Sequence, residues 1–212
     1  MWSCELETSS TESTTPGNSI TDTSTKPTST VTPKTGKMDN WTCVPGKQVG
    51  RITANFSHDE LVKMFGDENV KKSDIGLGEG ETAKGTIVFQ GAKDELIIQY
   101  QEGEDYKKIK NVKIRNEGTN WKTSEGITVG TTLEQLLEMN GKEFSFAGFE
   151  WDYAGKVTSW EKGKINERLE VFLTPTNEEA IFPDLLGDDV FSTNHAKAKA
   201  AGLKVASFVI NF

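Results

Sequence analysis

Hydrophobic positions along this chain change period more than once. In RITANFSHDELVKMFG, residues 51–66, Leu61, Met64 and Phe65 form one apolar stripe at helical spacing. After it the period falls towards two, the mark of strands, in KGTIVF (84–89), DELIIQYQ (94–101) and IKNVKIRN (109–116). The succession then starts again. GITVGTTLEQLLEMNG, residues 126–141, carries a second helical stripe through Leu133, Leu136 and Leu137. Alternating segments follow it at FSFAGFEWDYAG (144–155), KVTSWEK (156–162), RLEVFLTP (168–175) and LKVASFVINF (203–212).

Laid over each other without a gap, the two helical segments share Ile52/Ile127, Thr53/Thr128, Leu61/Leu136, Met64/Met139 and Gly66/Gly141. Their start signals also match. Ser57 with Glu60, and Thr132 with Gln135, have the spacing of a capping box, in which the cap side chain and the third helical residue satisfy each other's backbone N–H. Gly66 and Gly141 stand where a left-handed residue ends a helix. The expected fold is therefore α+β, with two tandem repeats, each a helix followed by an antiparallel meander, and the helices on one side of the sheet. The first repeat should occupy residues 40–122 and the second 123–212, with an insertion at about 176–202.

Composition separates this folded part from what precedes it. Residues 5–37 are about half Ser and Thr and have almost no large apolar side chain, too little to offset the entropy of ordering. Residues 1–39 are thus expected to be an anchor region and a disordered tether. The net charge of −8 argues against nucleic acid, whose phosphates require a basic face. No apolar run reaches the roughly 18 residues needed to span a bilayer. Two cysteines, Cys4 and Cys43, are too few for a disulfide framework, and Cys43 is expected to be a half-buried free thiol.

Ser3 and Cys4 in MWSC, followed at once by the Ser/Thr-rich stretch, resemble the processed start of a bacterial lipoprotein, in which a small residue precedes a lipidated Cys. Trp2 departs from that pattern. The resemblance implies lipidation at Cys4, an extracytoplasmic address and contact with the membrane through the lipid alone. A coil of this length would hold the domain on the order of 30 Å from the bilayer. The alternatives are an unmodified Cys4 behind a true start at Met1, or a stalk with glycosylation sequons at Asn40-Trp41-Thr42 and Asn55-Phe56-Ser57.

The order of elements, with the Gly-x-Thr/Ser-x-x-x-Leu-x-x-x-x-Gly spacing in GITVGTTLEQLLEMNG, resembles the tandem repeats of beta-lactamase-inhibitor-protein-like folds and of small outer-membrane assembly lipoproteins. WTCVPGKQVG and GFEWDYAGKVTSW also resemble segments of uncharacterised bacterial envelope proteins, over about residues 41–175. These resemblances imply a binding or scaffolding module and carry across no catalytic residue and no cofactor.

Candidate chemistry is sparse. GLGEGE, residues 76–81, has the wrong spacing for a dinucleotide loop and two repelling carboxylates, so it is read as a flexible loop with no strand before it. His58 lies in the first turn of a helix, and His195 lies in the insertion with no evident nucleophile nearby. Asp184, Asp188 and Asp189 could offer calcium oxygen ligands but lack the ladder of a calcium loop, so they are read as a solvated acidic loop and no metal is expected. Glu150 and Asp152, two apart on the expected strand and about 7 Å from each other, could form a glycosidase-like pair in an envelope glycan or peptide hydrolase. The sharper feature is aromatic. In an extended strand Phe149, Trp151 and Tyr153 share a face, and Trp160 comes across from them on the next strand. Such a ladder serves either as core or as a partner-binding face for a protein or envelope component. The resulting expectation is a non-enzymatic, tethered binding protein, with the hydrolase and a purely structural spacer as alternatives.

Overall fold

The computed structural model describes residues 39–104 and 106–212, all within one structural unit, so Cys4 and the expected tether up to residue 38 lie outside the described residues. The two helices form where the caps place them. Helix α1 spans His58–Phe65 and α2 spans Leu133–Asn140, each opened by a complete capping box, Ser57 with Glu60 and Thr132 with Gln135. Losing such a cap typically costs about 1 kcal/mol. Leu61 and Phe65 of α1, and Leu133 and Leu136 of α2, are buried. Gly141 ends α2 in the left-handed conformation (φ 78°, ψ 4°). Gly66 differs: its ψ of 147° sends the chain directly into a 3-10 turn at Asp67–Asn69, so the left-handed stop expected there is not made.

Strands follow in the order β1 (Thr42–Val44), β2 (Gln48–Val49), β3 (Val70–Gly78), β4 (Glu81–Val88), β5 (Leu96–Tyr100), β6 (Ile109–Ile114), β7 (Lys122–Thr123), β8 (Ser145–Ala147), β9 (Val157–Ser159), β10 (Leu169–Thr174), β11 (Val190–Ser192) and β12 (Lys204–Asn211). A short helix α3 covers Ala196–Ala200. Six of the strands make one antiparallel sheet in the order β10-β12-β6-β5-β4-β3. The segments expected as separate repeats therefore share a sheet, joined where β6 pairs with β12. The fold is α+β, with mostly antiparallel sheets and few helices.

Alternation divides this sheet into two faces. Val88, Leu96, Ile98, Val112, Ile114, Val171, Phe208 and Ile210 point to one side and are buried. Helix α1 lies on that side, where Phe65 meets Phe89 edge-on at 5.1 Å and His58 Nδ1 bonds Thr86 Oγ1 at 2.9 Å. Each fully buried aliphatic side chain there contributes roughly 1.5–3 kcal/mol. The opposite face carries Ile97, Gln99, Asn111, Lys113, Glu170, Val209 and Asn211, which are cross-strand neighbours in register.

Two small sheets flank the large one, β2-β1-β7 and β11-β8-β9. The strand expected over residues 144–155 stops at Ala147. Beyond it Gly155 N–H donates to Gly148 O at 3.0 Å and Ala154 N–H to Trp151 O at 3.1 Å, which close residues 148–155 into a compact loop. The expected insertion at 176–202 is ordered. It contains a 3-10 turn at Glu178–Ile181, then β11, which pairs with β8, and α3.

Candidate binding trough

The hairpin of β3 and β4 is longer than the sheet it joins. β4 pairs with β5 only over Gly85–Val88, whereas it pairs with β3 along nearly its whole length. Among the described residues the outer half of the hairpin therefore has no strand partner except within the hairpin itself. Glu79 and Gly80 form its tip with positive φ values of 51° and 79°, the handedness that a tight hairpin requires. A register shift between Gly76 and Gly78 adds curvature. At the base, the Ile75 side chain lies directly on Gly85, where a Cβ would stand 2.4 Å from Ile75 Cγ1 and 2.7 Å from the Ile98 carbonyl oxygen. GLGEGE is thus the end of a strand, a turn and the start of the next strand. The free loop expected there is corrected by this pairing.

The tip crosses to the other edge of the sheet. Glu79 N–H donates to Asp152 Oδ2 at 3.2 Å, and a Cβ on Gly78 would stand 3.9 Å from that of Asp152 and 3.7 Å from the Tyr153 hydroxyl. Asp152 and Tyr153 lie in the 148–155 loop, and Lys156 just after it bridges Phe172 of β10. β3 and β10 are the two edges of a six-stranded sheet, about 24 Å apart at the usual strand spacing. The hairpin consequently arches over the sheet face that does not carry α1.

Beneath the arch is a trough of about 380 Å³. Its floor is the row Gln99, Asn111 and Asn211 with Ile97, Val209 and Lys113, and its far wall is Tyr153, Lys156, Glu170 and Phe172. A second depression of about 390 Å³ shares Leu77, Glu81, Gln99 and Lys110 with it. Asn111 Nδ2 donates to Gln99 Oε1 at 2.9 Å, and Asn211 Nδ2 to Glu170 Oε1 at 2.9 Å. Lys156 Nζ pairs with Glu170 Oε2 at 3.1 Å. Lys113 Nζ stands 5.0 Å and Lys156 Nζ 5.9 Å from the centre of the Phe172 ring. Burial holds the Lys113 pKa below its ordinary value; Arg115 pushes the same way and Glu170 opposes both. The arrangement offers hydrogen-bond donors and acceptors, apolar strips and a partly desolvated ammonium.

The aromatic residues singled out in the sequence divide between two environments. Phe149 is 4% and Trp160 2% exposed: both are core, the first near Phe146 and the second bonded through Nε1 to Leu169 O at 3.2 Å. Trp151 is 36% exposed and meets Tyr153 edge-on at 5.2 Å, so this pair stands at the rim beside the hairpin tip. No common strand face joins the four, because the chain turns after Gly148. For the same reason Glu150 and Asp152 are not a strand pair. Glu150 adopts φ 68° in the loop, and Asp152 holds the hairpin tip.

Elsewhere, Cys43 is fully rather than half buried, and burial pushes its thiol up to about 12. His58 begins a chain through Thr86 Oγ1 to the Tyr100 hydroxyl, with bonds of 2.9 and 2.8 Å. Its pKa is lowered, first by burial and then by Lys72, against opposing pulls from Asp59 and Asp67. His195 Nδ1 accepts from Lys197 N–H at 3.3 Å at the start of α3. Asp184 stands 3.6 Å from Lys197 Nζ. Among the described residues no three His, Cys, Asp or Glu side chains converge on a metal-sized site, and no helix is long and apolar enough to cross a membrane. Asn40, the first sequon asparagine, uses its side chain locally, donating to Gly50 O and accepting from Thr42 N–H.

Sequence reasoning missed Gln99, Lys113, Asn111, Asn211 and Phe172. Their outward positions were readable in the alternation of DELIIQYQ, IKNVKIRN, RLEVFLTP and LKVASFVINF; the neighbours they would meet were not. The sequence matches no protein-family model and no curated protein. A solved structure similar to this one is that of the uncharacterized protein yfeY from Escherichia coli, with a TM-score of 0.47 and 11% sequence identity, covering 78% of this chain and 97% of that one.

Proposed function

We propose that this chain is a non-catalytic, extracytoplasmic binding protein, tethered through a lipid on Cys4, whose folded domain takes its ligand in the trough beneath the β3–β4 arch. The observation that carries this reading is the hydrogen-bonded meeting of the hairpin tip with Asp152, which roofs a sheet face otherwise open to water. Ligand sites are concave and fix their ligand through convergent polar groups, and here polar side chains outnumber the apolar ones, which suits a polar ligand. Trp151 and Tyr153 keep their proposed partner-binding role as the rim of this site, whereas Phe149 and Trp160 support it from the core. The Ser/Thr-rich stretch behind Cys4 supports the tethered address.

The proposed ancestry is a duplicated helix-plus-meander unit, as in the beta-lactamase-inhibitor-protein-like arrangement. In support, the first N–H of each helix is bound by the segment leading into a central strand: His58 N–H by Tyr106 O ahead of β6, and Leu133 N–H by Leu203 O ahead of β12, each at 2.8 Å. The paired positions Ile52 and Ile127, and Leu61 and Leu136, are all fully buried.

Filling the trough tests the binding reading. Ile97→Trp places an indole on the outward face without touching the core face. Wild-type and variant protein, checked for equal thermal stability, are loaded with envelope extract and compared for what they retain. A component held by wild type and released by the variant is the expected result. Equal retention by both, or none by either, rejects the trough as the binding site. Membrane fractionation with and without Cys4→Ala tests the tether separately.

A further inference from the structure

Resting on that reading, we infer that the trough selects a short peptide segment bearing a free carboxylate, with Lys113 as the residue that receives it. The chain has a net charge of −8, yet the charged side chains lining this trough are Lys110, Lys113 and Lys156 against Glu81 and Glu170, three positive and two negative. Glu170 is already satisfied, one oxygen by Lys156 and the other by Asn211. Among the described residues Lys113 makes no ion pair, and its ammonium is held over the Phe172 ring while partly buried. Glu170 acts on the partly buried Lys113 ammonium from beyond ion-pair distance and is itself paired with Lys156, so a ligand carboxylate in contact with Lys113 would stabilise it further.

The competing chemistries fit less well. A neutral sugar could stack on the rim pair Trp151 and Tyr153 but would leave the Lys113 ammonium without a counter-charge in contact. A phosphate dianion would bring two charges to a site with an excess of one, beside the Glu170 carboxylate. The peptide part is argued from the amides. Gln99 and Asn111 are direct cross-strand partners, and the bond between them uses Asn111 Nδ2 and Gln99 Oε1. Among the described residues that leaves Gln99 Nε2 as a donor and Asn111 Oδ1 as an acceptor, the complement of one peptide unit. Ile97 and Val209 flank this pair with apolar surface for ligand side chains.

The test uses the full chain and N-acetyl-Ala-Leu-Ala as free acid and as C-terminal amide, followed by the side-chain amide NMR signals of Gln99 and Asn111. The free acid should shift both signals saturably, with the capped peptide about tenfold weaker or worse, the range expected for losing a hydrogen bond to a charged group. Lys113→Met, confirmed folded by its amide spectrum, should bring the two peptides to equal affinity, and Lys113→Arg should restore the preference. Equal binding of acid and amide by wild type would overturn the carboxylate assignment while the binding trough survives. Absence of any shift at millimolar peptide would overturn the peptide assignment, and the Ile97→Trp comparison then reports independently on the trough. Displacement of the acid by inorganic phosphate more readily than by acetate would likewise overturn it.

Discussion

Gly85→Ala perturbs the arch at its root. The added methyl would stand 1.9 Å from Ile75 Cδ1, 2.4 Å from Ile75 Cγ1 and 2.7 Å from the Ile98 carbonyl oxygen, against ordinary carbon contacts of about 3.5–4.0 Å. Ile75 can swing away, but the Ile98 oxygen belongs to the backbone of the neighbouring strand and cannot. Overpacking of this kind costs about 1–3 kcal/mol. Evicting the half-buried Ile75 forfeits roughly another 1 kcal/mol, about half of what full burial of such a side chain is worth. Urea unfolding should therefore show a loss of about 2–4 kcal/mol. Hydrogen exchange should be accelerated in residues 73–84, which among the described residues pair with no strand outside the hairpin, more than in β5 and β6. The double variant Gly85→Ala with Ile75→Ala removes the Ile75 atoms in conflict and leaves only the carbonyl clash. It should recover about 1 kcal/mol relative to the sum of the single effects, the coupling expected of residues in contact. If Gly85→Ala leaves stability and hairpin exchange unchanged, Ile75 does not rest on residue 85 and the arch is set by something else.

His58 has a lowered pKa in the folded protein, so the unfolded chain takes up its proton first as pH falls. Its contribution to stability is complete above the unfolded value of about 6.5 and is lost as pH drops towards the folded value. Stability measured between pH 7.5 and pH 5 should decline, and His58→Gln should flatten that decline. Asp94, 4% exposed, accepts from Thr119 Oγ1 and from both the backbone and side-chain amides of Asn120, at 3.1, 2.7 and 2.9 Å. Asp94→Ala should cost about 2–3 kcal/mol in urea unfolding, because it strands several donors of a charge-assisted cluster; a loss below about 0.5 kcal/mol, the scale of ordinary surface substitutions, would contradict this. Cys43, buried with its thiol pushed up to about 12, should resist alkylation in the native chain and react on unfolding, as read by intact mass.

The helices were legible because their signals are local: a cap, its partner three residues on, and a stripe of apolar residues. β5, β6, β10 and β12 were legible because one of their faces is buried along its whole length, so alternation is enforced. β3 escaped for the opposite reason. Only Val70 within it is buried, and the rest runs out along the arch, where neither face meets the core. β1, β2 and β7 are two or three residues long, too short to express a period. Residues 149–153 alternate aromatic and acidic side chains without being a strand. Phe149 enters the core, and the chain then turns, so the aromatics that look equivalent in sequence occupy different surroundings. The trough itself was not legible, since its floor comes from three strands, β5, β6 and β12, whose order in the sheet depends on pairings as distant as β6 with β12.

The assignment of the trough depends on the hairpin tip lying across the sheet against the 148–155 loop, and the hydrogen exchange of one backbone amide reports on that directly. Glu79 N–H lies in an exposed turn and is held by Asp152 Oδ2 at 3.2 Å. Its exchange should be slowed in the wild-type protein, and Asp152→Ala should release it while β5 and β6 keep their protection. A Glu79 amide that exchanges as fast in wild type as in Asp152→Ala would show that the hairpin does not close over the sheet, and the binding site would have to be sought elsewhere.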